Sequence, residues 1–160
     1  MIPISKPVYE YCHIHMPSTG VGGHCIPLYP WFLIKEMEKK GKFGYVKLLR
    51  TARELNDEMV SYWAERIVME CMKISKPLNE IKICIKGITF REGVNELYHS
   101  RNLALVKLLM EKGLNVFVYD ELFSNEEVEK LGLKYRKPKD VDIIFDAFEL
   151  KIGRGNERRS

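Results

Sequence analysis

The sequence predicts an α/β fold in two parts: a helical segment built on one long central helix, then a truncated, Rossmann-like parallel sheet. Three observations predict it. From about Gly44 to Ile74, apolar residues recur at three- and four-residue steps, and Pro77 ends the run. Beyond it, β-branched runs alternate with helical stretches, the signature of parallel strands joined by crossover helices. Ahead of both, Thr19-Gly20-Val21-Gly22-Gly23-His24-Cys25-Ile26-Pro27 concentrates glycines beside a histidine and a cysteine.

The composition sets bounds. With 160 residues, 46% hydrophobic and 30% charged, the chain reads as an ordinary globular protein. The net charge of +4 owes much to the tail, where Lys151, Arg154, Arg158 and Arg159 face Glu157 alone. That pattern is a solvated terminus, and no nucleic-acid partner is expected. No signal peptide or apolar run of membrane length is visible, so no membrane partner is expected either. Four cysteines (Cys12, Cys25, Cys71, Cys84) lack a repeated spacing, and reduced thiols in a cytoplasmic setting are the expectation.

In chain order, Met1–Met16 is a Tyr-rich stretch punctuated by Pro3 and Pro7 without a clear period. Cys12, His13 and His15, with His24 and Cys25, raise a zinc site, but no Cys-x-x-Cys or His-x-x-x-His spacing supports it. Loop histidines are the plainer reading, and no metal is expected. The Gly-Cys loop has two readings. A thiol ahead of a helix N-terminus feels the positive end of the dipole, which favours the nucleophilic thiolate. An ordinary tight loop with a packed cysteine would look the same.

A helix follows from about Pro30 to Lys40, with Pro30 in its first turn and Gly41 as its cap. The long helix carries Tyr45, Leu49, Ala52, Asn56, Val60, Trp63, Ile67, Cys71 and Ile74 on one face. Leu48, Leu55, Met59, Tyr62 and Val68 flank it. At ~1.5 Å per residue it would be about 45 Å long. A face this wide points to a homodimer through residues 44–74; a plain core helix is the other reading.

Ile81–Gly87 reads as a strand closing in a turn, Ser100–Lys112 as an amphipathic helix capped by Gly113, and Asn115–Asp120 as a second strand. Leu103, Val106, Leu109 and Met110 would face inward. A short helix over Asn125–Leu131 precedes a third strand over Val141–Asp146. A ligand site would lie at the strands' carboxyl ends, around Gly87–Arg91 and Asp120. The pattern then halts, and Ala147–Ser160 reads as a basic tail with no further strand. The expected organisation is therefore a helical region over 1–78, an incomplete sheet domain over 79–146 and a tail over 147–160.

Gly20–Pro27, then Glu54-Leu55-Asn56-Asp57, then Gly87-Ile88-Thr89-Phe90-Arg91 and Asn95-Glu96-Leu97 together resemble the UDP-glucose/GDP-mannose dehydrogenase family. His24, where serine is usual, resembles the branch acting on UDP-N-acetylhexosamines such as UDP-N-acetyl-D-mannosamine. The resemblance covers nearly all of residues 12–146. It implies an NAD-binding Rossmann domain, a central dimer-forming helical region and a C-terminal domain that binds UDP. It also implies two-step oxidation of the sugar C6 alcohol to a carboxylate with NAD, through a thiohemiacetal and thioester on the cysteine. Carried over by position, Cys25 becomes the catalytic nucleophile, and Gly22, Gly23, His24, Phe90, Arg91 and Tyr98 become substrate-binding. The loop glycines would offer backbone donors to an oxyanion.

Departures accompany the match. Tyr29 stands where the family has an aspartate four residues after the cysteine, which bears on thioester hydrolysis. Tyr98 replaces the arginine of an Asp-Asp-x-Arg segment, Glu96 its second aspartate, and Arg101 a usual proline. Arg91 keeps a cation where the family has lysine, as a planar fork and not a point charge. Tyr9 and Tyr11 occupy an upstream segment that is basic or histidine-containing in this branch. No NAD domain precedes the loop, and the family's final strands do not follow. The expectation is therefore the C-terminal part of a nucleotide-sugar 6-dehydrogenase, inactive alone, with UDP-sugar as its ligand. A non-catalytic dimerisation and UDP-binding module, or the remnant of a truncated gene, is the alternative.

Overall fold

The computed structural model describes residues 18–155. Helix α1 spans Tyr29–Lys39 and α2 spans Phe43–Cys71. Gly41 joins them at φ +68°, the left-handed conformation that ends a helix at least cost in glycine. The two helices are tied by a salt bridge from Arg50 to Glu38, and the same guanidinium lies 5.4 Å above the Trp31 ring. A single 3-10 turn, Leu78–Glu80, leads into the sheet.

The sheet consists of β1 (Lys82–Lys86), β2 (Asn115–Tyr119), β3 (Ile143–Asp146) and β4 (Lys151–Arg154), in the order β2-β1-β3-β4. The first three strands are parallel, with Ile83 opposite both Val116 and Ile143. Helix α3 (Arg101–Glu111) crosses from β1 to β2, and short α4 (Asn125–Lys130) follows β2. Each starts on a serine. Ser100 Oγ accepts the Leu103 N–H, and Ser124 forms a reciprocal capping box with Glu127.

One sheet face supplies Ile83, Ile85, Val116, Val118, Ile143 and Phe145 to the core. Leu105, Val106 and Leu109 of α3 cover it, with Val60, Ala64, Ile67 and Cys71 from the second half of α2. On the other face, Arg136 lies 4.3 Å above Phe117, and the Cys84 thiol donates to the Arg136 carbonyl at 3.6 Å. Val118 exchanges backbone hydrogen bonds with Lys134 and Arg136, so the outer edge of β2 is paired.

Two expectations change. The segment after β3 is not a plain tail: Lys151–Arg154 returns as β4, antiparallel to β3. The Asp146 carboxylate accepts both the Phe148 and Glu149 N–H groups and so folds the reversing turn, with Leu150 at φ +54°. A four-residue strand beside polar turn residues carries too little periodicity to show in sequence. The buried stripe of α2 also differs from the one expected in the helix's first half, whereas Val60, Ile67 and Cys71 are buried as expected. Val46, Arg53, Val60, Ala64, Ile67 and Cys71 are buried, whereas Tyr45 and Ala52 face outward. The helix is apolar on two flanks, and only packing against α1 and α3 selects between them.

Candidate active site

The glycine loop is held between two supports. On the α2 side, Val21 N–H donates to Asn56 Oδ1 at 2.6 Å, and Asn56 Nδ2 returns a bond to the Val21 carbonyl at 3.4 Å. Asn56, singled out by sequence as a member of an apolar stripe, is thus the loop's anchor. Just before it, the Thr19 hydroxyl bonds to buried Asn102, whose amide donates to the Thr89 carbonyl at 2.9 Å. Arg101 adds a cross-brace, donating to the Asp57 carbonyl at 2.8 Å and pairing with its carboxylate at 3.1 Å. Nothing in sequence joins these partners, which lie from 13 to 83 residues apart.

On the sheet side, the loop lies against the segment that follows β1. Two glycines make this approach possible. A Cβ on Gly22 would stand 2.6 Å from the His99 carbonyl oxygen and 3.1 Å from Phe90 Cβ. A Cβ on Gly23, at φ +87°, would stand 3.1 Å from the Phe90 ring. The structure therefore brings Gly22, Gly23 and Phe90 together. Arg91, next in the chain, is exposed and makes no ion pair among the described residues.

His24 and Tyr98 also meet. Their rings stack with centroids 4.3 Å apart and planes 8° from parallel, and His24 Nε2 lies 2.5 Å from Glu96 Oε1. Among the described cysteines Cys25 alone is exposed. Burial pushes the Cys71 and Cys84 thiols up to about 11 and about 12, so both stay protonated and inert. The Cys25 carbonyl accepts the Leu28 and Tyr29 N–H groups at 3.1 and 2.9 Å, which places the thiol at the entrance to α1. The Tyr29 phenol lies beside the Cys25 sulfur, whose influence, hydrogen bonding first and then charge, raises it above its usual range. A phenol thus stands near the sulfur where sequence showed only the loss of a carboxylate.

The strand ends form a separate cavity of about 260 Å³ lined by Lys86, Gly87, Thr89, Tyr119, Asp120 and Phe148, among others. It lies where the strand order places a ligand crevice. Its chemistry does not fit the dinucleotide that an α/β sheet often binds there. The Phe148 ring would stand 2.4 Å from a Cβ on Gly87 and fills the approach to the end of β1. Asp120, at the end of β2 where a ribose would be held, is buried, and its oxygens accept the Ile88 and Leu122 N–H groups. The described residues thus offer no NAD cradle. Among them, no cluster of three or more potential metal ligands occurs either. Cys12, His13 and His15 lie outside the described residues, as do Tyr9 and Tyr11.

Comparison with known proteins gives a consistent assignment. Residues 5–58 match the profile of the UDP-glucose/GDP-mannose dehydrogenase family, central domain. The chain is 36% identical over 104 residues to a UDP-N-acetyl-D-mannosamine dehydrogenase of Methanococcus maripaludis, covering 65% of this chain and 22% of that one. It is 36% identical over 132 residues to one from Methanocaldococcus jannaschii, covering 82% and 28%. The chain therefore spans less than a third of the length of these relatives. In fold it is similar to the UDP-N-acetyl-mannosamine dehydrogenase of Staphylococcus aureus, with TM-score 0.65 at 24% identity over 87% of this chain and 31% of that one. A Pyrococcus horikoshii enzyme of similar name gives TM-score 0.63 over the same shares. No described helix is long and apolar enough to cross a membrane. The loop, the helix that anchors it and the sheet it lies on point the same way: residues 5–58 match the central domain of the UDP-glucose/GDP-mannose dehydrogenase family, and the chain is similar to a portion of its members.

Proposed function

We propose that the chain is the nucleophile-bearing and UDP-binding portion of a nucleotide-sugar 6-dehydrogenase acting on UDP-N-acetyl-D-mannosamine or a similar UDP-sugar. One observation carries this reading: the exposed Cys25 sits on a loop whose glycines lie against Phe90, next to Arg91, which makes no ion pair among the described residues. In this reading Arg91 takes the diphosphate through paired N–H donors. The bare backbone at Gly22 and Gly23 lets the sugar approach. The Cys25 thiolate then adds to the C6 aldehyde: a C–S bond forms, and the carbonyl π pair moves to oxygen. The loop's backbone N–H groups face that oxyanion. Oxidation of the adduct needs a hydride acceptor, NAD by family resemblance, for which the described residues have no cradle.

A homodimer through residues 44–74 belongs to the same proposal. Tyr45, Leu48 and Leu55 present apolar side chains that nothing among the described residues covers. The test is NADH formation from UDP-N-acetyl-D-mannosamine by the chain supplied with the NAD-binding portion of a family member. Activity lost in Cys25→Ser, with UDP affinity lowered about tenfold in Arg91→Ala, is the expected outcome. Tyr29 in place of a carboxylate favours a second reading, a non-catalytic UDP-binding and dimerisation module. That reading predicts the same effect of Arg91→Ala, no NADH in any combination, and no effect of Cys25→Ser on UDP binding.

A further inference from the structure

We propose that His24, Glu96 and Tyr98 form a clasp that fixes the Cys25 loop to the sheet, and that His24 and Tyr98 are positioning residues and not substrate ligands. The proposal rests on reading Cys25 as the reacting thiol for its significance, but not for its test. His24 directly precedes Cys25, so whatever holds the imidazole sets where the thiol stands. Both faces of chemistry on that imidazole are engaged within the chain. Its ring plane is covered by Tyr98 at 4.3 Å and 8°, and its Nε2 edge is taken by Glu96 at 2.5 Å.

The anchor itself is rigid. Glu96 accepts the Phe90 N–H through its carbonyl at 3.2 Å, and its own N–H bonds to Val94 at 2.8 Å. Ser100, one turn on, is tied back to the Ile88 carbonyl at 2.6 Å. Tyr98 packs edge-on against His99, and it is the His99 carbonyl that closes on Gly22. The residues that grip His24 thus lie in the segment that also carries Phe90 and Arg91. Closing the clasp places Cys25 in register with both. A clasp of aromatic ring plus carboxylate also explains why Tyr98 and Glu96 suit this chain together: each acts on a different atom set of one side chain.

Amide hydrogen exchange of the peptide 19–27, followed by mass spectrometry, tests this without any substrate. Tyr98→Ala and His24→Ala should each accelerate exchange of that peptide at least fivefold, with peptide 81–87 unchanged. Tyr98→Phe, which keeps the ring, should stay within twofold of the parent. The double variant His24→Ala/Tyr98→Ala should be no faster than either single one, because both remove the same contact. Unchanged exchange in Tyr98→Ala, or effects that multiply in the double variant, overturns the clasp. If Tyr98→Ala also loosens 81–87, the decision passes to Glu96→Ala, whose exchange must rise at 19–27 alone. Loss of the dehydrogenase reading through Cys25→Ser would leave this result untouched.

Discussion

The two halves of the chain differ in how they satisfy themselves. From Val60 onward, α2, α3 and the sheet share one continuous core in which Phe145, Ile85, Ile67 and Leu105 are wholly buried. Before it, the α1–α2 pair fully buries only Ile34 and Val46 among its apolar side chains and half-buries Trp31, Met37, Leu49 and Met59, with Tyr45 and Leu48 each 83% exposed. The first half is held by polar contacts instead: Arg50 with Glu38, Asn56 with Val21, Arg101 with Asp57. One half shares a continuous apolar core; the other leaves large apolar side chains exposed, and the glycine loop lies at the seam between them.

The contrast can be broken most strongly in the core. Phe145→Ala should cost about 3–5 kcal/mol and abolish the cooperative melt of the whole chain or lower it sharply, as thermal denaturation will show. A change of similar size in Ile34→Ala would mean that the halves are not energetically distinct. At the seam, Gly22→Ala should cost about 1–3 kcal/mol, since its Cβ would stand against a backbone carbonyl that cannot yield cheaply. Faster exchange of peptide 19–27 should accompany it.

A smaller effect, and one dependent on pH, belongs to the sheet half. Burial alone would raise the Asp146 carboxyl. The hydrogen bond from Lys86 and those from the Glu149 and Phe148 N–H groups outweigh it and hold the carboxyl below its usual range. The Asp146 hydrogen bond likewise raises Lys86. A depressed carboxyl gives stability that is full above its ordinary value near about 4 and is lost as pH falls through the folded value. The partly exposed pair should contribute about 1 kcal/mol or less. The melting temperature of Asp146→Asn should therefore lie below that of the parent by a constant amount above about pH 5, and the two should converge towards pH 3. Divergence on acidification would contradict the pairing.

The smallest effect on stability should come from the exposed ridge. Leu48→Glu should change the melting temperature of the monomer within the equivalent of about 0.5 kcal/mol. It should nevertheless shift the association equilibrium measured by sedimentation. An unchanged equilibrium would remove the homodimer from the proposal.

Much of this architecture follows from the sequence by itself. The long helix, the three parallel strands, their crossover helix and the glycine-cysteine loop were all legible, because period and glycine placement are local properties of the chain. Tertiary structure alone decided the rest. It chose which flank of α2 is buried, because both flanks are apolar and only α1 and α3 distinguish them. It returned residues 151–154 to the sheet, because a strand this short is stabilised by its neighbour and not by its own pattern. It joined His24 to Glu96 and Tyr98 across more than 70 residues. Contacts of that range carry no periodic trace, since their energy depends on where two segments meet and not on what surrounds either residue in the chain.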